Sequence, residues 1–573
     1  MNFTARTKDE KATVTFSEPR TTDDVTYVDV FYKTEEKKTP EQFEVVFGIK
    51  TSEAYSTWGE SETKGGLAPA WHKKETFSRL AAGLPLHGIV SLTGKNKLMI
   101  ALSDAKTPTA LTSGVREEPS GDNLECVVKF FTQKTTAINE YKATIRIDTR
   151  EIPYYDAIYS AVEWWEGDCG YTPVYVPDHA RLPMNSTWYS YHQRIDVDSM
   201  VNECRLSKEL GMESIIVDDG WQTDNTLGGY SYCGDWEPIP EKVKDMKEFV
   251  DRVHETGMKF LLWFSVPWVG RHSKAYERFK TMLLDQSGWG EWWAFDPRYK
   301  EVREYLVGIY TNAVKEWGLD GLKLDFIDSF KLAGKSLDPD PRRDTEDLEE
   351  GVDRLMKSVK KAITEINPEI MVEFRQPYVG PTIRMYGNML RVTDCPADAI
   401  RNRAAIAGMR LTSGKTAVHS DMLMWHYDEP VETAAAQLVG ALYGVPQISM
   451  LIEKLSDEHY KMLKYYLSFW REHRDILLDG KLTAKNPECS YSSVASTLKN
   501  KSVVTLYTDR VVDTVYDYLV CVNATPEKSI FVKGYKGKDY TVVNCMGEEV
   551  AKGKIDSDIF EIEVSMCGMV TVE

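Results

Sequence analysis

From about residue 10 to 175 apolar and polar positions alternate in short runs, at 11–16, 25–32, 43–49, 89–92, 97–102, 126–131 and 143–147, with turn-forming residues between them. Period-two alternation broken by turns predicts half-buried strands, and this many of them in sequence predicts a β-sandwich. No helical period is visible until a short linker helix at 156–165.

From about residue 183 the texture changes. Strand patterns at 187–190, 214–217, 259–264, 321–325, 370–374, 390–393, 416–419 and 447–451 alternate with amphipathic helical patterns at 197–210, 246–256, 300–317, 345–366, 398–409 and 431–442. Eight strands, most followed by a helix, predict a (β/α)8 barrel. A last helix at 457–477 gives way at Gly480 to strand patterns at 502–507, 517–522, 540–545 and 559–564, a small antiparallel β-domain. The expected fold class is therefore multidomain α/β, with an N-terminal β-sandwich (1–175), a central (β/α)8 barrel (176–480) and a C-terminal β-domain (481–573).

Composition narrows the function without naming it. The chain has 573 residues, more than a single core supports. Its net charge of −18, from 70 basic and 88 acidic residues, with no basic stripe, argues against a nucleic-acid partner. No stretch is long and apolar enough to span a membrane, and the first residues lack the apolar centre of a secretory signal, so a cytoplasmic location is expected. Nine cysteines in no paired framework and without Cys-x-x-Cys spacing predict reduced thiols and no metal centre.

The chemistry gathers at the strand ends. Gly321-Leu322-Lys323-Leu324-Asp325, Ile215-Ile216-Val217-Asp218-Asp219 and Leu390-Arg391-Val392-Thr393-Asp394 each run from apolar residues into carboxylates. One such acid would be read as a helix cap. Three, with Trp188, Trp221 and Trp263 at the ends of other strands, point to one shared carbohydrate cleft. Glycoside hydrolysis needs two carboxylates flanking the bond, and Asp325 and Asp394 are the best pair. Lys323 shares a strand face with Asp325 and would hold it ionised; a structural neutralising role for Lys323 is the alternative. Asp398 competes with Asp394, but it follows Pro396 at a helix start and reads as a cap. Asp328, one turn beyond Asp325, reads as a helix start. Asp218 and Asp219 can accept hydroxyl hydrogen bonds, and the tryptophans offer flat faces to a pyranose. With 15 tryptophans in the chain, packing is an equal reading for any one of them.

At these residues the chain resembles the α-galactosidase clan, most closely the compact bacterial members of glycoside hydrolase family 36. The similarity runs through Trp188-Tyr189-Ser190-Tyr191-His192, Asp218-Asp219-Gly220-Trp221, Leu261-Leu262-Trp263, Leu322-Lys323-Leu324-Asp325-Phe326 and Arg391-Val392-Thr393-Asp394. It implies a retaining double displacement with Asp325 as nucleophile and Asp394 as acid/base. It also implies sugar contacts from Asp218, Asp219, Lys323, Trp188, Tyr191, Trp221 and Trp263, with Arg391 orienting Asp394. Trp58, in Tyr55-Ser56-Thr57-Trp58-Gly59, is similar to a tryptophan that family members send from the N-terminal sandwich towards the pocket. No metal or cofactor, a small oligosaccharide as substrate and a homo-oligomeric state are further expectations from the resemblance.

The chain departs from the family after the fifth strand. Glu373-Phe374-Arg375-Gln376-Pro377 replaces an expected Glu-Asn-Cys, which leaves Glu373 as a hydroxyl contact and puts a bulky cation, Arg375, near the sugar's 2-position. Arg375 reads either as a receptor for an anionic substituent or as an ion-pair partner. The residues after the acid/base also differ, reading Thr393-Asp394-Cys395-Pro396. Alternatives to terminal α-galactose are therefore another sugar at the cleaved position (α-N-acetylgalactosaminide, β-L-arabinopyranoside, α-glucoside or a charged sugar), transglycosylation, and a protein that binds sugar without cutting.

Overall fold

The computed structural model describes residues 1–60, 67–118, 121–225, 228–286, 290–332 and 338–573. The N-terminal alternation folds into two facing antiparallel sheets, one of six strands and one of seven. Along Val25–Lys38 the pattern is carried out literally: Val30 and Tyr32 are buried while Phe31 and Lys33 face solvent. Strands Thr4–Thr7, Ser56–Trp58, Glu75–Arg79 and Thr109–Val115 add to those read from the pattern. Their Thr, Ser and Gly content leaves too few large apolar residues for a period to show.

The linker helix spans Tyr154–Gly167 and buries Ala157, Ile158, Ala161 and Trp165, an i, i+1, i+4, i+8 stripe. It joins all three domains. Trp165 Nε1 donates to the Leu102 carbonyl at 2.7 Å, and the Tyr154 hydroxyl donates to the Ala484 carbonyl at 2.8 Å.

The barrel closes through eight parallel strands: β1 (Met184–Ser186), β2 (Ser214–Val217), β3 (Lys259–Ser265), β4 (Gly321–Asp325), β5 (Met371–Arg375), β6 (Met389–Arg391), β7 (Ala417–Leu423) and β8 (Val445–Ile448). The first strand is not where its aromatic residues suggested. Residues 188–191 form a helical turn, because the Thr187 N–H ends the ladder on the Ile216 carbonyl and the Thr187 carbonyl accepts from Tyr191. Helices Val197–Glu209, Met246–Glu255, Lys300–Trp317, Leu348–Ile366, Ala399–Thr412 and Val431–Ala441 lie close to the predicted spans. Only a 3₁₀ turn, Ile383–Met385, interrupts the passage from β5 to β6. After β3 the chain builds an unforeseen three-stranded antiparallel sheet in which Trp292–Phe295 lies between Trp268–Gly270 and Leu283–Gln286.

Strand parity places the site. Met184, Ile216, Leu261, Met371, Met389 and Ala417 form an apolar cluster inside the barrel. Two residues further along the same strands stand Ser186, Asp218, Trp263, Glu373, Arg391 and His419. They keep the inward direction about 6.6 Å closer to the carboxyl ends of the strands, so the interior turns from apolar to charged towards the mouth where barrel enzymes work.

The C-terminal region forms a seven-stranded and a three-stranded sheet around Leu506, Leu519, Ile530, Val542 and Val570. It is not wholly antiparallel, as the pattern had suggested: Lys501–Leu506 pairs in parallel with Tyr518–Asn523, and Val511–Val512 with Ser529–Lys533. Among the described residues no helix is long and apolar enough to cross a membrane.

Candidate active site

Asp325 ends β4 and is enveloped by donors. Its Oδ1 accepts from Arg375 Nε at 2.8 Å, from the Tyr378 hydroxyl at 2.5 Å and from the Phe326 N–H at 2.8 Å, whereas among the described residues Oδ2 accepts only from Trp263 Nε1 at 3.1 Å. Phe326 takes a left-handed backbone conformation, φ 65°; a non-glycine residue pays about 1–2 kcal/mol for that conformation. Burial by itself would raise the Asp325 pKa. The Arg375 and Lys323 cations, with the Tyr378 hydrogen bond, outweigh it and hold the group well below the usual carboxylate range. Arg375 lies over the rings of Phe326 and Tyr378, 5.0 and 5.7 Å from their centroids.

Lys323, also inward on β4, donates to Asp218 Oδ2 at 2.5 Å, and both side chains are about 5% exposed. β3 brings Trp263 level with Lys323 and β5 brings Glu373 level with it on the other side. Lys323 thus lies between an aromatic ring and a carboxylate at one level of the barrel.

Asp394 follows β6 and is far more open, its side chain 52% exposed. Its partner is Arg391, whose Nη1 reaches Asp394 Oδ1 at 2.9 Å and Asp421 Oδ1 at 2.6 Å. Burial of part of the carboxyl opposes ionisation, but Arg391, Lys323 and Arg375 pull its pKa below the ordinary value. Asp398 does what its position after Pro396 predicted: its side chain accepts from the Arg401 N–H and caps the helix Ala399–Thr412.

A melibiase family profile matches residues 176–480, more than half of the chain. The chain belongs to the melibiase family. This is the family to which the strand-end motifs pointed. Among curated proteins the chain is similar to the α-galactosidase Mel36A of Lactobacillus acidophilus, 29% identical over 26% of this chain and 20% of that protein. It is also similar to the α-galactosidase AgaA of Geobacillus stearothermophilus, 22% identical over 53% of this chain and 42% of that protein. The matched segments thus span less than half the length of these relatives. In overall fold the chain is similar to the crystal structure of AgaA in complex with stachyose, with TM-score 0.66 and 16% identity over 96% of this chain and 79% of that one. An α-galactosidase structure from Lactobacillus brevis gives TM-score 0.65 at 14% identity, over 100% of this chain and 86% of that one.

Measured against the melibiase motifs, several expected sugar contacts lie elsewhere. Trp221 is wholly buried; its Nε1 donates to the Trp263 carbonyl at 3.0 Å and its ring packs on Trp236, Phe264 and Trp317. Gly220 explains this. With φ 125° and Gln193 Cα only 2.6 Å from where a Cβ would stand, it turns the chain sharply after Asp219 and sends Trp221 back into the core. Tyr191 also points away from the acids, its hydroxyl bonded to Ser199 Oγ on the next helix at 2.9 Å, and Tyr189 takes its place by donating to Asp421 Oδ2 at 3.0 Å. Trp58 is fully enclosed and presents no surface to a cleft. Its loop does reach the barrel, since Gln376 Nε2 donates to Glu60. Glu373 is also enclosed: it accepts from Gln447 of β8 and lies 3.6 Å from Arg391 Nε, with burial raising its pKa, so it belongs to the floor of the site.

Asp219 sits beside Asp218 with both oxygens engaged, by Gln222 and Gln193 at 2.6 Å each; burial lifts its pKa to about 6. Trp188 is partly exposed at the turn following β1. Among the described residues no cluster of three or more His, Cys, Asp or Glu could hold a metal ion. A cavity of about 790 Å³ lies at the start of β7, beside Lys415, Thr416 and the linker helix, and none of the strand-end acids lines it.

Tyr378 and Asp421 were missed by sequence reasoning. Tyr378 sits in a loop, where no period marks a residue. Asp421 was within reach, because β7 runs four residues past the predicted end at His419 and parity puts Asp421 on the same inward face.

Proposed function

We propose that this melibiase-family chain is a retaining glycoside hydrolase that removes terminal α-linked galactose from oligosaccharides. The observation that carries the proposal is the unequal pair of strand-end carboxylates: Asp325 is immobile, ionised and buried, and Asp394 is open to solvent beside a single guanidinium. In the first step Asp325 attacks the anomeric carbon while Asp394 gives its proton to the glycosidic oxygen, so the leaving sugar departs as a neutral alcohol and a glycosyl ester forms on Asp325. In the second step Asp394 takes a proton from water, which attacks the same carbon and releases the sugar with its original configuration and Asp325 as carboxylate. Oδ2 is the attacking oxygen, because Oδ1 carries three hydrogen bonds and Oδ2 one. The two carboxylates suffice for this chemistry.

Lys323 and Asp218, nearly buried at the centre of the mouth, are the donor and acceptor best placed for ring hydroxyls. Trp263 and Trp188 are the aromatic surfaces left to the site, and Asp219 buttresses Asp218. Arg375 is the ion-pair partner of the nucleophile. Lys323, Arg375 and Arg391 each already face a carboxylate, which argues for a neutral sugar and against an anionic substituent. The guanidinium's bulk beside Asp325 also disfavours a 2-acetamido group. The stachyose and raffinose bound to AgaA suggest short galactosyl oligosaccharides as substrates.

The test is nitrophenol release from α-galactoside, α-N-acetylgalactosaminide, α-glucoside and β-L-arabinopyranoside, with Asp325→Asn as control. Turnover of the α-galactoside alone, lost in the control, is expected. Preference for another sugar would replace the substrate assignment, and silence on all four would favour binding without cleavage.

A further inference from the structure

Asp394 is the least constrained of the charged side chains at the barrel mouth, yet an acid/base must meet the glycosidic oxygen in a fixed direction. The restraint comes from the neighbouring strand. Asp421, inward on β7 and wholly buried, accepts from Arg391 Nη1 through Oδ1 at 2.6 Å. Its Oδ2 accepts from the Cys395 N–H at 2.6 Å and from the Tyr189 hydroxyl at 3.0 Å. One carboxylate thus grips the residue three before Asp394 and the peptide directly after it. Asp421 is itself anchored, its N–H donating to Asn402 Oδ1 at 3.1 Å on the buried face of the helix Ala399–Thr412.

We propose that Asp421 is the positioning residue of the acid/base, holding the Arg391 side chain before Asp394 and the Cys395 peptide after it, and dividing the Arg391 guanidinium so that Asp394 stays free to exchange its proton. This rests on the reading of Asp394 as acid/base. Charge-assisted hydrogen bonds of this length are short and strong, and three converging on one buried carboxylate leave the 391–395 segment little freedom. Arg391 Nη1 serves both carboxylates at once. If Asp421 lost its charge, Arg391 Nη1 would close on Asp394, and the segment would lose the grip on its far side. Tyr189 extends the restraint to the turn following β1, so three strands of the barrel hold the acid/base segment. A buried charge cluster of this kind also has a plain structural use, in holding the segment folded, and the experiment has to separate the two.

The separation comes from the leaving group. A substrate whose leaving group is a sugar hydroxyl needs the acid's proton to depart; an activated aryl group such as dinitrophenol leaves without it. Asp421→Asn keeps the shape and removes the charge. Its kcat/KM should fall by about 10²-fold on a galactosyl disaccharide and by less than about tenfold on the dinitrophenyl galactoside. On the aryl substrate kcat and KM should fall together as the glycosyl-enzyme accumulates, with added azide restoring kcat. Equal losses on both substrates, or no loss on the disaccharide, would overturn the proposal. Tyr189→Phe removes one donor and leaves the charges in place; the same leaving-group pattern at smaller amplitude is expected, and its absence contradicts the proposal if Asp421→Asn does not fold. Asp394→Ala measured alongside tells the two levels apart. If Asp394→Ala shows no leaving-group dependence, the acid/base reading fails and the proposal with it; if Asp394→Ala shows it and the Asp421 and Tyr189 variants do not, the proposal alone fails.

Discussion

The two halves of the barrel mouth solve opposite problems with the same residue type. On β4, Asp325 is buried and meets four donors among the described residues, from β3, from β5 and the loop after it, and from its own loop. After β6, Asp394 is half exposed and meets one. A nucleophile has to be charged and still before substrate arrives, which favours burial among cations. A group that gives a proton and takes it back has to reach water and change charge at little cost, which burial among cations would prevent. The two carboxylates are thus distinguished by their surroundings, and those surroundings are assembled from different elements. Even the N-terminal sandwich contributes to the nucleophile's side: Arg79 donates to the carbonyls of Asp328 and Phe330 and pairs with Glu349, pinning the loop that follows Asp325.

The comparison is broken most severely at the nucleophile. Asp325→Asn removes the attacking oxygen, and kcat on the aryl α-galactoside should fall by roughly 10⁴-fold or more; the circular dichroism spectrum, measured in parallel, should stay native. Removing the acid/base in Asp394→Ala should cost about 10² to 10⁴-fold in kcat/KM where the leaving group needs a proton, and far less in kcat/KM on an activated aryl galactoside. Tyr378→Phe deletes one of four donors. A hydrogen bond to a charged group is worth about 1.5–3 kcal/mol, so a loss of roughly 10 to 100-fold in kcat is expected. A loss as large as that of Asp325→Asn would mean Tyr378 acts in the chemistry itself.

The pH profile sharpens the same contrast with the smallest effect. Asp325 is held below its ordinary value and stays ionised through the working range, so it sets no limb near neutrality. Asp394 is also lowered in the free enzyme, chiefly by Arg391 working against partial burial. It must be protonated to act as acid, so activity is lost as pH rises through its pKa. A sugar seated over it excludes water and pushes that pKa up. Because kcat/KM reports the free enzyme and kcat the complex, the alkaline limb of kcat/KM should lie at lower pH than that of kcat. Coincident limbs would mean the bound substrate leaves Asp394 unchanged.

Much of this contrast was legible in the chain. Strand parity alone puts Lys323 with Asp325, the family resemblance put Arg391 beside Asp394, and the helix Lys300–Trp317 coincides with its apolar period. What the chain concealed was direction. Trp188 to Tyr191 has the aromatic content of a strand but follows a three-residue strand and coils. Trp221 carries the motif and is turned inward by Gly220. Trp58, expected to reach towards the pocket, is buried. Asp421 lay hidden because Ser420 and Met422 beside it give no sign of where β7 stops. Arg375 was readable as a cation near the sugar's 2-position, either an anion receptor or an ion-pair partner, but only the fold pairs it with Asp325.

The most direct test of the central claim is azide rescue of Asp325→Gly. If Asp325 is the nucleophile, the variant is inactive alone, and azide entering the vacated space converts an aryl α-galactoside into β-galactosyl azide, with the anomeric configuration inverted. An α-configured azide, or full activity without azide, would contradict the assignment.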